Sequence, residues 1–162
     1  MRIYLEHSTE TEQVEGSLLD NSSFNRPYDD QTQVKILFET EAKLFIQQQI
    51  VSKNYKLAWS YVLDYEIGNS PFSERKDRIM QWENIARLHC VENEAILLEA
   101  EKLQKIGLKV VDSLHVACAD FMQCDYVLTT DRKMLNKPIK QITQISVVNP
   151  IEFFQREVII ND

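Results

Sequence analysis

Short apolar runs alternate with longer stretches of helical period along this chain, and that alternation limits the fold more than any other feature of the sequence. Strands that alternate with helices make a parallel sheet covered on both faces. The apolar runs are residues 17–20 (SLLD), 56–63 (KLAWSYVL, a strand leading into a short helix), 125–131 (DYVLTTD) and 144–150 (QISVVNP). Between them, apolar residues recur at helical spacing. Val34, Leu37, Phe38, Ala42, Phe45, Ile46 and Ile50 predict a helix from Asp30, its expected cap, to about residue 53. Ser73 to Leu88 reads as a second helix, with Ile79, Trp82, Ile85 and Ala86 on one face. A third is expected from Asn93 to Ile106, stopped by Gly107. Leu114, Ala117, Cys118 and Phe121 mark the buried stripe of a fourth, and IEFFQREV is a last one. Three glycines and four prolines are too few turn signals for a β-sandwich. The expectation is therefore an α/β fold with a central parallel sheet of four or five strands.

Composition removes several classes. Apolar residues at 44% and charged residues at 27% are ordinary globular usage. No apolar run approaches the roughly 20 residues of a membrane span. The stretch MRIYLEHSTETEQVEG has no hydrophobic core and does not read as a secretory signal. Cys90, Cys118 and Cys124 form no CxxC pair, and neither they nor His7, His89 and His115 show zinc-ligand spacing. These features predict a reduced, cytoplasmic domain with no membrane association.

In parallel α/β sheets, ligands bind outside the carboxyl ends of the strands. Asp20 and Asp131 close two of the apolar runs, Glu66 follows a third, and Asp112 follows Val110-Val111 at the start of a helix. If the strands are parallel neighbours, these four acids converge on one edge. Clustered carboxylates raise each other's pKa values unless a cation neutralises them. A hard divalent ion with oxygen ligands, Mg²⁺ or Mn²⁺, suits such a set. Water activation at such an ion makes metal-dependent phosphodiester hydrolysis the implied reaction class. Each acid also has an ordinary reading: Asp112 and Asp131 as helix N-caps, Asp20 as a turn former, Glu66 as a solvated helix carboxylate.

The formal charge of −7 by itself opposes a sequence-blind nucleic-acid binder, which needs a basic surface. Its distribution changes the inference. Residues 1–16 hold one Arg and four Glu, and in the remainder the four candidate acids account for the whole excess of acid over base. The acidity marks a site, and RNA binding without metal is expected to be weak.

The series LLDNSSFN, SYVLDYEIGN, VVDSLHVACA and LTTDRKML resembles the PIN domain, as found in VapC-type toxins of bacterial toxin–antitoxin pairs, over about residues 17–155. The resemblance implies a three-layer α/β/α PIN-like domain over residues 17–162, with residues 1–16 as an N-terminal extension. It implies that Asp20, Glu66, Asp112 and Asp131 bind Mg²⁺ or Mn²⁺, with Asp20 and Asp112 the principal ligands. Ser22 and Thr129 fall where such domains carry small polar residues that hydrogen-bond the carboxylates. It further implies RNA as substrate, a cognate antitoxin as inhibitor and a homodimer. Family members begin almost directly with the first strand and its Asp, which leaves two readings here. Either Asp20 is the ligand after an extension, or MRIYLE is the first strand and Glu6 replaces the Asp. The continuation DNSSFNRP into loop and helix favours Asp20.

Arg26, Arg132 and Lys133 are candidates for holding phosphates, against the ordinary reading of solvated charge. His115 lies three residues after Asp112 on the same helical side, a candidate proton-transfer group or a partly buried helix residue. Trp59, Tyr61 and Tyr65 flank Glu66 and read as base-stacking residues or as core. Two functions from different classes follow. One is a metal-dependent ribonuclease of toxin type; the other is a catalytically impaired PIN-like module that binds RNA or a protein without cleavage.

Overall fold

The computed structural model describes residues 16–19 and 32–159. Five strands run through them: β1 (Gly16–Leu19), β2 (Lys56–Ser60), β3 (Leu88–Cys90), β4 (Tyr126–Leu128) and β5 (Ser146–Val148). They pair in the order β3-β2-β1-β4-β5, and every pairing is parallel. Ser17 of β1 stands opposite Leu57 on one side and Tyr126 on the other. The helices are α1 (Val34–Val51), α2 (Tyr61–Gly68), α3 (Ser73–Met80), α4 (Glu94–Lys105), α5 (Val110–Phe121), α6 (Arg132–Leu135) and α7 (Pro150–Phe154). The chain is thus mixed α/β, the class that the alternation predicts.

Strands β2 and β4 are mostly apolar, with side chains on both of their faces buried. In β2, Ala58 enters one core while Leu57 and Trp59 enter the other. Val127 and Leu128 of β4 divide the same way. The first core takes Ile96, Ala100 and Leu103 of α4 with Val116 and Cys118 of α5. The second takes Ile46 and Ile50 of α1, Leu63 and Ile67 of α2, and Phe153 of α7. Trp59, Leu57, Leu63 and Phe153 are each less than 2% exposed, and full burial of side chains of this size contributes about 1.5–3 kcal/mol apiece. Phe153 also meets Tyr55 and Tyr126 edge-on, at centroid distances of 5.7 and 5.0 Å.

Local signals set several boundaries. Asn93 caps α4, its Oδ1 accepting from the Ile96 amide at 3.0 Å. Gly107 ends the following turn at φ +101°, a conformation that side-chain-bearing residues rarely adopt. Ser60 caps α2 and Asn149 caps α7.

Other expectations are corrected. The helix expected over Ser73–Leu88 stops at Met80, continues as a 3-10 turn over Gln81–Ile85, and gives way to β3. The Arg87 amide donates to the Leu57 carbonyl, and Ala58–Ser60 pair with Leu88–Cys90, so edge pairing overrides the local period. In α5 the buried set is Ser113 with His115–Ala119, while Phe121 is exposed. The middle of this helix packs against α4, β2, β4 and α2, so burial extends around it rather than along one stripe. The residue before α1 is Gln33, which makes no side-chain cap; Asp30 lies outside the described residues. In α1, Ala42, Ile46 and Ile50 are buried, yet Val34, Leu37 and Phe38 are exposed. Glu39, Thr40, Lys43 and Gln47 take the inner positions instead. No helix of the described residues is long and apolar enough to cross a membrane.

Lys43 is 4% exposed, and burial pushes its ammonium down to about pKa 7 from 10.5. Below pH 7 both the folded and unfolded chains carry the proton, so the cost of burying the charge is present in full. Between pH 7 and 10.5 only the unfolded chain binds it, and stability rises with pH. Lys43→Met is expected to stabilise the fold by roughly 1–4 kcal/mol near pH 6. Urea denaturation should show that gain shrinking toward pH 10; a gain independent of pH would refute the assignment.

Candidate functional site

The acids that the sequence singles out reach one edge of the sheet by different routes. α2 starts directly from the end of β2, so Glu66 in its second turn lies beyond the carboxyl end of that strand. α5 runs back toward the start of β4, which places its first turn, with Asp112, at the same carboxyl edge. Asp131 follows the last residue of β4 by three positions. Glu6, Asp20, Ser22 and Arg26 lie outside the described residues. The strand at the centre of the sheet is Gly16–Leu19, and Asp20 is the next residue in the chain.

Glu66 is held by His115. The His115 Nε2 lies 2.7 Å from Glu66 Oε2, joining α2 to α5 across 49 residues of sequence. The imidazole is 1% exposed and the carboxylate 24% exposed. In the tautomer protonated at Nε2, the imidazole donates to the carboxylate. His115 Nδ1 is buried with no hydrogen-bond partner among the described residues. His115 is fully rather than partly buried, a core histidine whose contact fixes a candidate acid.

Asp131 performs the capping role weighed for it, its Oδ1 accepting from the Lys133 amide at 2.8 Å. Thr129 is fully buried, and its Oγ1 accepts from the Asp131 main-chain amide at 3.1 Å. This bond sets the backbone that presents the carboxylate. Asp112 is not the N-cap of α5; that position is Lys109, which makes no side-chain cap. The helix starts two residues earlier than the Asp because the Ser113 amide closes the first turn on the Lys109 carbonyl. Asp112 sits inside that first turn, where the helix dipole favours a negative charge. It lines a cavity shared with Lys133, two residues beyond Asp131. Arg132 and Lys133 are both exposed.

Among the described residues, no group of three His, Cys, Asp or Glu side chains is close enough to hold a metal ion. The three acids described there share an edge without forming a complete site among themselves. Trp59 belongs to the core, 1% exposed, with its indole donating to Asp64 at 2.8 Å. Tyr65 is exposed, and Tyr61 is half-buried with its hydroxyl pushed up to about pKa 12, first of all by burial.

Sequence reasoning missed Glu39. Its side chain is fully buried on α1, accepts from Asn149 Nδ2 at 2.7 Å beyond the end of β5, and pairs with Lys35 at 3.3 Å. The available signal was its register, since Glu39 falls in step with buried Ala42, Ile46 and Ile50.

No protein-family model matches this chain, and no curated protein matches its sequence.

Replacing His115 by Ala removes a buried ring and leaves Glu66 Oε2 without this donor. The expected cost is about 2–4 kcal/mol in urea denaturation. Glu66→Gln should cost less, because its amide oxygen still accepts from Nε2. A loss under about 0.5 kcal/mol for His115→Ala, the scale of an ordinary surface change, would remove the pair from the account.

Proposed function

We propose that this chain is a metal-dependent endoribonuclease of PIN, VapC type. The observation that carries the reading is the delivery of Glu66, Asp112 and Asp131 to the carboxyl edge of a parallel sheet whose central strand leads into Asp20. Two apolar cores, one from each face of that sheet, support a three-layer α/β/α domain of PIN form. Oxygen donors of this kind suit Mg²⁺ or Mn²⁺. Asp20, Glu66, Asp112 and Asp131 would hold the cation. The chemistry supplied there is the lowering of a water's pKa and the neutralising of charge at the phosphorus. His115 would fix the rotamer of Glu66, and Thr129 the backbone of Asp131; such outer contacts govern ligand precision. The toxin role, with an antitoxin partner, a homodimer and a cytoplasmic setting, belongs to the same proposal. The exposed Val34, Phe38 and Leu44 on α1 support a protein-facing surface.

A second reading, a PIN-like module that binds without cutting, draws on the capping bond of Asp131, which commits one carboxylate oxygen to Lys133. Metal titration separates the two. The nuclease reading expects purified protein to cleave single-stranded RNA with Mg²⁺ or Mn²⁺, and EDTA to stop it. Asp112→Asn should lower the rate by roughly 100-fold or more, as loss of a metal contact does. A wild-type protein that binds neither ion and leaves RNA intact would favour the binding module.

A further inference from the structure

Next to the acids, the same edge carries a basic cavity that no part of the reading above requires. The turn between α4 and α5, the start of α5, and the region from α6 to Lys137 enclose about 230 Å³. Lys109, Lys133 and Lys137 line it together with Asn136 and Asp112, around Leu108 and Met134. Three lysines and one aspartate line it, in a chain whose formal charge is −7. None of the three lysines takes part in an ion pair among the described residues. Like charges gathered round one opening repel by about 1 kcal/mol per pair at 4 Å even in water, and an anion between them reverses the sign.

The backbone is shaped to this cavity. A Cβ at Gly107 would stand 3.1 Å from Lys137 Nζ, so the bare glycine lets that ammonium lie over the turn. Lys137 is half-buried there, while Lys109 and Lys133 are exposed at the mouth. The 12-residue helix α5 begins at the same wall, and the positive end of its dipole adds to the field of the lysines.

We propose that this cavity is a phosphate subsite for single-stranded nucleic acid, seating a backbone phosphodiester beside Asp112, an inference that rests on the ribonuclease reading. Lysines act on phosphate as point charges. The Asn136 amide both donates and accepts, as a ribose hydroxyl requires. An acidic peptide would use the lysines but not this amide.

The test is a fluorescence-anisotropy titration of a labelled, non-hydrolysable single-stranded RNA analogue, in EDTA and again with Mn²⁺, so that binding is read without cleavage. Losing one single-strand phosphate contact removes about 0.7 of a counterion, which is roughly an eightfold loss of affinity at about 50 mM salt. Lys109→Gln, Lys133→Gln and Lys137→Gln are each expected to show that loss, and the triple variant to flatten the log Kd against log salt slope by about 2. Lys53→Gln, beyond the C-terminus of α1 at the opposite edge, should bind as wild type, and matching thermal melts establish that all variants fold. Unchanged RNA affinity in the triple variant would overturn the subsite while leaving metal-dependent cleavage to stand. Tighter, lysine-dependent binding of a poly-glutamate peptide would reassign the cavity to an acidic protein partner. A wild type that fails to bind RNA both in EDTA and with Mn²⁺ would overturn the subsite and the ribonuclease reading together.

Discussion

Strands of three to five residues offer few ladder hydrogen bonds each, so the sheet depends on the burial of both its faces. Leu57 and Trp59 on one side of β2, with Ala58 on the other, tie the strand to two separate cores. Helices must then cover each face, and the connections between strand and helix fall at the two edges. Polar chemistry is excluded from the faces and collects where strands end and helices begin. Glu66, Asp112 and Asp131 occupy such junctions, two of them on helices that touch through the bond of His115 to Glu66.

That edge is electrically divided. Carboxylates lie at the ends of β2 and β4 and at the start of α5, while lysines surround the cavity beside Asp112. On the proposed function, a cation on the first group and a substrate phosphate on the second would neutralise both, which would let an acidic chain accommodate an acidic polymer. Asp112 lies on the boundary between them.

The parts legible in the sequence are those whose causes are local. Asn93 followed by a helical period, Gly107 at its end, and apolar Leu57, Ala58 and Trp59 before a capping Ser60 all act within a few residues of themselves. Leu88–Cys90 was illegible as a strand because its pairing partner, Ala58–Ser60, is remote in sequence and the period around Ile79 and Trp82 continues smoothly toward it. The period of α1 was readable but its inner face was not. Apolar Val34 and Phe38 point outward while Glu39 is drawn in by Asn149, 110 residues away.

The candidate site divides along the same line. The sequence alone determined which side chains carry chemistry, and that Glu66, Asp112 and Asp131 follow apolar runs or open helices. These are matters of composition and short-range order. The tertiary structure alone decided that β1 lies between β2 and β4, that buried His115 grips Glu66, and that Lys109, Lys133 and Lys137 share one cavity. Each of those contacts joins elements whose adjacency comes from strand order. Strand order is set by which faces can be buried together, a property of the whole chain rather than of any segment in it.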